Sequence, residues 1–279
     1  MSKLKKEYLF GLSPCYAALR AGRRTVHKIF INERLKDEEP LQPNLKGIIQ
    51  HCQEKDLNLK YSSRKVLDRL VGNRPHQNVV MLVKQLTFLR YDDSKMNNFD
   101  NDSKNNNDRI DASERFPLWL ALDQIHDPMN FGALLRSATY FGVDNILATK
   151  SHCCGLTPTV SKASAGAMEW TQVYDVGNMI RFLKQKSGEG WDVIGTVGMN
   201  DVDSTCVLAR DLQVRRPSIL VMGNEGYGLN PAVSDACTIM TSISPMNHNM
   251  PIGLDSINVS VASGILLNTL AQSRNMMVS

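Results

Sequence analysis

The sequence predicts an α/β protein in two parts: a small N-terminal α/β unit and a larger C-terminal domain built on a parallel sheet. Three observations predict this fold class. Apolar runs of strand length alternate with segments whose apolar residues recur at helical spacing. The strands of the C-terminal half are apolar without interruption, as in parallel sheets that are covered on both faces. A polar segment, residues 92–114, separates the two parts.

Each part alternates helices and strands. In residues 1–91 we expect strands over 27–31, 57–61 and 78–83 and helices over 13–20 and 45–54. We expect a third helix that Ser62 or Ser63 caps and that runs to Val71. Ser13 and Pro14 suit the cap and first turn of the first helix. In residues 115–279 we expect strands over 118–122, 145–149, 192–197 and 218–222, and helices over 131–141 and 258–271.

The segment between the parts, residues 92–114, reads DDSKMNNFDNDSKNNNDRIDASE. Asn and Asp dominate it, and Phe99 is its only aromatic residue. Such a segment cannot bury enough apolar surface to offset the entropy that is lost on ordering. We therefore expect a flexible linker between two domains.

The positive charge of the chain is concentrated at its N-terminal end. Residues 1–91 carry 18 Lys and Arg against 8 Asp and Glu, a net charge of +10. The linker has a net charge of −4, and residues 115–279 have a net charge of −2. A basic unit attracts polyanions and releases condensed counterions. This favours RNA or DNA binding, with a solvated basic surface as the alternative; the candidate contacts are Arg20, Arg23, Arg24, Lys28 and Arg64.

Composition excludes several classes of protein. Of the 279 residues, 42% are hydrophobic and 22% are charged, which is typical of a folded domain and not of a disordered or collagen-like chain. No apolar run approaches the ~20 residues of a membrane helix. The six cysteines form no C-x-x-C pair and no Cys/His ligand set, so we expect no zinc site and a reducing compartment. We recognise neither a secretory signal nor a transit peptide in the first residues.

Three segments of the second part carry candidate functional residues, and each follows a predicted strand or begins a helix. Ligands of α/β proteins bind at the carboxyl ends of parallel strands. The first segment, residues 123–136, reads DQIHDPMNFGALLR. Asn130 can cap the following helix, and Arg136 can bind a phosphate or carboxylate through its planar guanidinium. The alternative is an ordinary capped helix with a surface arginine.

The second segment, GNEGYG at residues 223–228, directly follows the strand SILVM. Its glycines allow a ligand to approach the backbone closely. Its spacing, G-x-x-G-x-G, differs from the dinucleotide fingerprint, and Glu225 would repel a pyrophosphate. A neutral or cationic ligand fits better, with a glycine-rich turn and an exposed glutamate as the alternative.

The third segment, MPIGLDSINVSVA at residues 250–262, leads into the last helix. Ser256 or Asn258 can cap that helix. Its small residues permit close packing in a core or a dimer interface. Outside the three segments, Lys162 in SKASAGAM can contact RNA, although a solvated lysine explains it equally simply.

In their order and spacing, NFGALLR, GNEGYGL and GLDSINVSVA resemble the three motifs of the SpoU/TrmH family, the ribose 2′-O-methyltransferases of the SPOUT class. The resemblance covers about residues 117–272. It extends weakly to the N-terminal part, which is similar to the family's small substrate-binding domain, a domain like ribosomal protein L30. It implies a sheet whose C-terminal segment forms a deep trefoil knot, S-adenosylmethionine as cofactor without a metal, and a homodimer whose protomers both contribute to each active site.

The resemblance also implies roles for particular residues. The family's catalytic or RNA-contacting positions fall on Asn130, Arg136, Glu225, Ser256 and Asn258, and backbone groups near Gly223, Ile243 and Ile257 would hold the cofactor. The sequence departs from the family pattern in three places. Ile257 replaces a leucine, the insert NHNMPI precedes the third motif, and a turn that usually reads His-Gln-Gly is His-Gln-Asn at residues 76–78.

The implied activity is methylation of one ribose 2′-hydroxyl, expected on a guanosine, in large-subunit rRNA. The segments VSKASAGAMEW and GNEGYGL are most similar to members of the family that act in mitochondria, which implies the mitochondrial matrix. A tRNA 2′-O-methyltransferase and a non-catalytic RNA-binding assembly factor are the alternatives. The loop spacing disfavours a third alternative, a dehydrogenase of the Rossmann type.

Overall fold

The fold is known from a computed structural model that describes residues 5–38, 40–93, 115–198, 206–224, 226–247, 249, 251 and 256–276. The chain divides into two compact units, each assembled from segments that are distant in sequence. The described residues of the first unit fall within Met1–Thr87, Asp127–Arg136 and Cys154–Gln172. Those of the second unit fall within Phe88–His126, Ser137–Cys153 and Val173–Ser279.

A mixed sheet forms the centre of the first unit. Its N-terminal elements are β1 (Lys6–Phe10), α1 (Leu12–Ala21), β2 (Val26–Asn32), α2 (Pro43–Glu54), β3 (Leu59–Ser62), α3 (Arg64–Val71) and β4 (Val79–Lys84). Over the described residues the strand order is β1-β4-β2-β3. Strand β4 pairs antiparallel with β1 and β2, whereas β2 and β3 are parallel.

Both faces of this sheet are buried. Val79, Met81 and Val83 of β4 pack in a core with α1 and α2. Val80 points to the opposite face and packs with Leu67 of α3. Helices cover both faces, so the strand has no polar side to alternate with its apolar one, and the run NVVMLV reads as uninterrupted apolar sequence.

The remaining elements follow the first unit's sheet in the chain. They are β5 (Leu89–Arg90), β6 (Leu118–Leu122), α4 (Pro128–Tyr140), β7 (Asn145–Ala148), α5 (Pro158–Ala163), α6 (Ala167–Trp170), β8 (Val173–Asp175), α7 (Met179–Gly188), β9 (Asp192–Thr196), β10 (Val207–Leu208), β11 (Ser218–Met222), α8 (Pro231–Ser234), β12 (Ile239–Ser242) and α9 (Val259–Met276). The first residues of α4 and all of α5 and α6 belong to the first unit.

A wholly parallel sheet forms the centre of the second unit. Over the described residues its strand order is β10-β12-β9-β11-β6-β7-β8-β5, and every pairing is parallel. Trp119 and Ile219 pack with helix α7 in the core on one face, and their neighbours Leu118 and Leu220 are fully buried as well. The predicted α/β class with a parallel sheet is confirmed.

Predicted and observed elements agree best where the sequence is most apolar. Strands β6 and β11 have the predicted bounds, and every residue in both is buried. The other predicted elements are present with slightly different bounds. The sequence does not predict β1, β5, β8, β10 and β12, because these strands are short or half polar and depend on their pairing partners for definition.

The start of the expected linker is anchored to the second unit. The carboxylate of Asp93 accepts hydrogen bonds from Lys186 Nζ at 2.7 Å, Gln185 Nε2 at 3.1 Å and the Tyr91 hydroxyl at 2.5 Å. Lys186 is itself buried, with its ammonium over four aromatic rings at 5.5 to 6.0 Å. Asp93 is therefore held in place, because the buried ammonium of Lys186 needs the negative charge of this carboxylate. Residues 94–114, the remainder of the expected linker, lie outside the described residues.

The turn at residues 76–78 explains one departure from the family pattern. Gln77 and Asn78 have φ angles of 51° and 68°, and the Val79 N–H donates to the His76 carbonyl at 3.1 Å. Two successive positive φ values define a type I′ turn, in which asparagine is one of the better substitutes for glycine. His76 has a structural role, since its Nε2 lies 3.0 Å from Asp68 Oδ1.

Candidate active site

One edge of the parallel sheet gathers several candidate residues of the second unit. Strands β6, β9, β11 and β12 run parallel, so their carboxyl ends lie at the same edge. The segments that leave this edge begin at Asp123, Val197, Gly223 and Ile243. Such an edge is where α/β folds place their ligands. The structure thus brings Gly223 and Ile243 to one edge, as a shared cofactor site requires.

Gly223 has no space for a side chain. A Cβ atom there would lie 2.5 Å from the carbonyl carbon and oxygen of Gly228 and 2.6 Å from the nitrogen of Leu229. Asn224 and Gly228 exchange two backbone hydrogen bonds, of 2.8 and 3.1 Å, which close the turn. The glycine is therefore required by the turn's own backbone. Glu225 lies outside the described residues.

Asn224 ties this turn to the loop that follows β6. Its Oδ1 accepts hydrogen bonds from the N–H groups of Gly226 at 2.8 Å and Tyr227 at 3.2 Å. Its Nδ2 donates to the Gln124 carbonyl at 3.0 Å. Asn224 is absent from the site residues predicted from the sequence, although an asparagine between glycines commonly organises its own turn through its side chain.

Asp123 lies at the same edge of the sheet and is likewise absent from the site residues predicted from the sequence. It directly follows the wholly buried strand β6 and is itself buried. Among the described residues its Oδ2 has no hydrogen-bond partner. Burial raises the pKa of Asp123, and the Asn230 backbone amide and the charges of His152 and His126 counteract part of that rise. The sequence feature that could have identified Asp123 is an aspartate directly after an uninterrupted apolar strand.

The start of the last helix is capped by Asn258. Its Oδ1 accepts from the Ser260 N–H at 2.9 Å and from the Ser260 hydroxyl at 2.5 Å, and its carbonyl accepts from the Ala262 N–H at 2.9 Å. Ser256 and Ile257 precede the helix and are exposed. Of the two predicted caps, the structure therefore selects Asn258.

Helix α4 carries Asn130 and Arg136, which both belong to the first unit. The helix begins at Pro128, and Asp127 caps it: Asp127 Oδ1 accepts from the Met129 N–H at 2.7 Å. The prediction that Asn130 caps this helix is wrong, because the helix starts earlier and Asn130 lies within its first turn. Arg136 is exposed further along the helix.

The backbone of α4 rests directly on α5 at Gly132. A Cβ atom at Gly132 would lie 2.5 Å from the Ala163 Cβ, 2.7 Å from the Val160 carbonyl oxygen and 3.0 Å from the Ser164 nitrogen. Such distances leave room only for hydrogen, so the two helices approach at van der Waals contact of their main chains. The position of α4 therefore depends on the position of α5.

Three of the five predicted RNA contacts remain on the surface. Arg20 is exposed in the last turn of α1, and the Arg64 side chain is 73% exposed at the start of α3. Lys28 is half-buried, with its Nζ 5.4 Å from the ring centre of Phe30. These side chains keep positive charge where a phosphate can reach it.

Arg24 and Arg23 bind inside the protein instead. The Arg24 side chain is fully buried, and its Nε, Nη2 and Nη1 donate to the carboxylates of Glu169 at 2.6 and 3.0 Å and of Glu7 at 2.6 Å. Arg23 Nη1 donates to three backbone carbonyls near Glu169, those of Met168, Glu169 and Thr171, at 3.1, 3.1 and 2.6 Å. The prediction that Arg24 contacts RNA is wrong, because the buried carboxylates of Glu7 and Glu169 take up its donors. The same role for the half-buried Arg23 stays a prediction.

Two further properties concern only the described residues. None of their helices is long and apolar enough to cross a membrane. Their His, Cys, Asp and Glu side chains form no group of three or more that could hold a metal ion.

Lys162 Nζ, considered above as an RNA contact, donates to Gln77 Oε1 within the first unit, and burial lowers the pKa of Lys162.

Two family models match the chain. The model of the SpoU rRNA Methylase family matches residues 117–268, which is more than half of the chain and includes all three motifs. The chain belongs to the SpoU rRNA methylase family. A second model, described as RNA 2′-O ribose methyltransferase substrate binding, matches residues 8–89 of this SpoU protein. The methyltransferase class that the three motifs predict is confirmed.

Named relatives agree with this assignment, and a solved structure has the same fold. The protein named "rRNA methyltransferase 1, mitochondrial" of Homo sapiens is 35% identical over 274 residues, which are 96% of this chain and 73% of that protein. The "23S rRNA (guanosine-2'-O-)-methyltransferase RlmB" of Shewanella oneidensis is 30% identical over 270 residues, which cover 97% of this chain and 98% of that protein. The crystal structure of an AdoMet-bound rRNA methyltransferase from Sinorhizobium meliloti has the same fold, with a TM-score of 0.68 at 18% identity over 99% of this chain and 89% of that one.

Proposed function

We propose that this SpoU protein transfers a methyl group from S-adenosylmethionine to the ribose 2′-hydroxyl of one nucleotide in large-subunit rRNA. The observation that carries the proposal is the pair of family matches: the methylase model spans the three motifs, and the substrate-binding model spans the basic N-terminal unit. The relatives in Homo sapiens and Shewanella oneidensis are both named rRNA methyltransferases.

The sheet edge fits a cationic donor that is held mainly by backbone groups. Gly223 contributes no side chain there, and the buried Asp123 carboxyl has an oxygen with no partner among the described residues. We propose that the main chain near Gly223, Ile243 and Ile257 holds the donor. When bound, S-adenosylmethionine supplies a methyl group that is already activated as a sulfonium. A negatively charged or uncharged lining suits that cation better than a phosphate-binding loop would.

We assign Arg136 to the substrate. Its exposed guanidinium matches a phosphate group through paired N–H donors, so it can hold the phosphate next to the target ribose. Arginine side chains remain protonated in proteins, so Arg136 acts here as a fixed cation that stabilises charge developing on the 2′-oxygen. Asn130, Ser256 and Asn258 are proposed to orient the nucleotide, and the same role for Glu225 stays a prediction.

Replacing Arg136 tests this assignment. We expect Arg136→Ala to abolish methyl transfer to an rRNA transcript while the Kd for S-adenosylmethionine, measured by calorimetry, changes by less than about 2-fold, because the substitution removes a substrate contact and leaves the donor site intact. Arg181→Ala is the matched control, since Arg181 is an exposed arginine of α7 in the second unit. Methyl transfer by Arg136→Ala at the wild-type rate would contradict the role.

The target nucleotide and the compartment are further proposals. The name of the Shewanella oneidensis relative supports a guanosine, and the name of the Homo sapiens relative supports a mitochondrial location, within which we propose the matrix. Mapping of 2′-O-methyl groups in cells that lack the gene tests both. Loss of one methyl group from mitochondrial large-subunit rRNA supports the proposal, whereas loss from a tRNA supports the tRNA alternative. Full rescue of ribosome assembly by Arg136→Ala would favour the assembly-factor alternative.

We further propose the domain organisation and assembly that the family implies. Residues 1–91 would form the L30-like RNA-binding domain, 92–114 the linker, and 115–279 the methyltransferase domain with a deep trefoil knot; the family matches over 8–89 and 117–268 support these limits. A homodimer is supported by α9, where Val261 and Ile265 are exposed one helical turn apart. Sedimentation as a dimer is the expected result, and a monomer at micromolar concentration would contradict it.

A further inference from the structure

A buried glutamate in the first unit joins segments that are distant in sequence. Glu169 Oε2 and Oε1 accept hydrogen bonds from Arg24 Nε at 2.6 Å and Nη2 at 3.0 Å. Glu169 Oε1 also accepts from the Ser161 hydroxyl at 2.7 Å. The side chains of Glu169 and Arg24 are both completely buried. The function proposed above gives Glu169, Arg24 and Ser161 no role.

Two other contacts hold the segment around Glu169 against the N-terminal elements. Arg23 Nη1 donates to the backbone carbonyls of Met168, Glu169 and Thr171. A Cβ atom at Gly166 would lie 2.7 Å from the Ala17 Cβ and 3.0 Å from the Ser13 carbonyl oxygen, so helix α1 packs directly on this glycine. Of these interactions, the Arg24–Glu169 ion pair is the most sensitive to substitution. Removing the charge of Glu169 leaves the Arg24 cation buried without its partner, which is strongly unfavourable.

The same segment supports the helix that carries Arg136. Ser161 belongs to α5, and α5 is the helix on which the Gly132 backbone of α4 rests. A continuous series of contacts therefore leads from Arg24, through Glu169 and Ser161, to α5 and then to α4. All of these residues belong to the first unit.

We propose that Glu169 is a positioning residue for methyl transfer. With Arg24 and Ser161 it fixes α5 against the basic N-terminal elements, and through α5 it fixes the helix of Arg136 relative to the surface that binds RNA. This inference rests on the role proposed for Arg136. A cation that must meet one phosphate of a bound RNA works only if the RNA-binding surface and the cation keep a constant distance, since misplacement by about 1 Å can reduce a rate by about 100-fold.

Two variants weaken the network to different extents. Glu169→Gln keeps the shape of the side chain and removes its charge. Ser161→Ala removes one hydroxyl and leaves the Arg24–Glu169 pair in place. Lys186→Gln is the matched control. It also breaks an ion pair of a buried side chain, because Lys186 is only 3% exposed and its Nζ lies 2.7 Å from Asp93 Oδ1. Lys186 belongs to the second unit and has no part in the network.

The measurements separate placement of Arg136 from donor binding and from folding. Full-length variants are compared at a temperature where circular dichroism shows each of them folded. Calorimetry gives the Kd for S-adenosylmethionine, and transfer of tritiated methyl groups to an in vitro large-subunit rRNA transcript gives kcat and the KM for RNA. We expect kcat to fall about 10- to 100-fold in Glu169→Gln and by a smaller factor in Ser161→Ala, with the Kd for the donor unchanged. Lys186→Gln should melt at a lower temperature and keep its kcat.

Each outcome bears on the inference. If wild-type protein methylates no transcript, the proposed function and this inference both fall. If wild-type protein is active and folded Glu169→Gln and Ser161→Ala keep its kcat, the inference alone is overturned. An equal fall of kcat in Lys186→Gln also overturns it, since general loss of stability would then explain the effect. If Glu169→Gln does not fold, Ser161→Ala decides: a lower kcat at unchanged donor affinity supports positioning, and an unchanged kcat overturns it.

Discussion

Substitution of Gly223 by alanine probes the turn that we propose as the donor site. The added Cβ would meet the Gly228 carbonyl group at 2.5 Å and the Leu229 nitrogen at 2.6 Å. Ordinary contacts of a Cβ begin at about 3.4 Å, so the Gly228 backbone must withdraw by roughly 0.9 Å. The obstacle is main chain, which cannot turn aside as a flexible side chain does. The turn must therefore open, and the two hydrogen bonds between Asn224 and Gly228 must lengthen or break.

The cost can be estimated from the behaviour of overpacked interiors. Inserting a methyl group without space typically costs about 1–3 kcal/mol, and each 1.4 kcal/mol corresponds to about a tenfold change in an equilibrium constant. If the closed turn is the form that binds S-adenosylmethionine, Gly223→Ala should raise its Kd by about 5- to 140-fold. Gly226→Ala offers a matched control in the same turn, because a Cβ there lies 3.6 Å from Asn224 Oδ1, an ordinary contact.

Isothermal titration of both variants with S-adenosylmethionine is the assay, performed where circular dichroism shows them folded. We expect weak binding by Gly223→Ala and binding by Gly226→Ala within about 3-fold of the wild type, since its extra methyl group fits. Wild-type affinity in Gly223→Ala would refute the proposal that this turn holds the donor. An equal loss in both variants would show that bulk in the turn matters, and not the close approach at Gly223.

Three further predictions concern other parts of the molecule. Burial raises the pKa of Asp123, so the protonated carboxyl stabilises the fold below the ordinary pKa, and this stabilisation is lost as the pH rises through the raised pKa. The melting temperature of the wild type minus that of Asp123→Asn should therefore fall from about pH 4 to pH 7. A difference that stays constant across this pH range would contradict the prediction. For RNA binding, Arg64→Gln with Arg20→Gln should reduce the slope of log K against log salt by about 0.7–0.9 per lost phosphate contact, with Arg181→Gln as the control, and an unchanged slope would remove these residues from the interface. Burial raises the pKa of Cys153 to about 11, so iodoacetamide at about pH 8 should alkylate it much faster after denaturation than before, and equal rates would mean that the thiol is not buried.

The parallel sheet and the family could be predicted from the sequence because their signals are local. Strands β6 and β11 are runs of five buried residues, and such apolar runs indicate a strand from the local sequence alone, without knowledge of the pairing strands. The three motifs are contiguous segments, so their order and spacing can be read directly. The short strand β10 has no such signal, because its pairing with β12 defines it.

The contacts of the basic unit could not be predicted, because they join residues that are far apart in the chain. Arg24 looks like a surface arginine in the run GRRT, yet its partner Glu169 is 145 residues away. Charge alone cannot separate such an arginine from Arg64, which is exposed. The prediction that Asn130 caps α4 is wrong for a different reason. Asp127 and Asn130 are both favourable cap residues, and only the position of Pro128 in the first turn decides between them.

The most direct test of the account is the chemical position of the methyl group. An rRNA transcript is incubated with the protein and tritiated S-adenosylmethionine and then hydrolysed with alkali. A 2′-O-methyl group blocks cleavage of the neighbouring phosphodiester, so the account predicts tritium in one alkali-resistant dinucleotide, and none when Arg136→Ala is used. Tritium released in ordinary mononucleotides would place the methyl group on a base and would contradict the account.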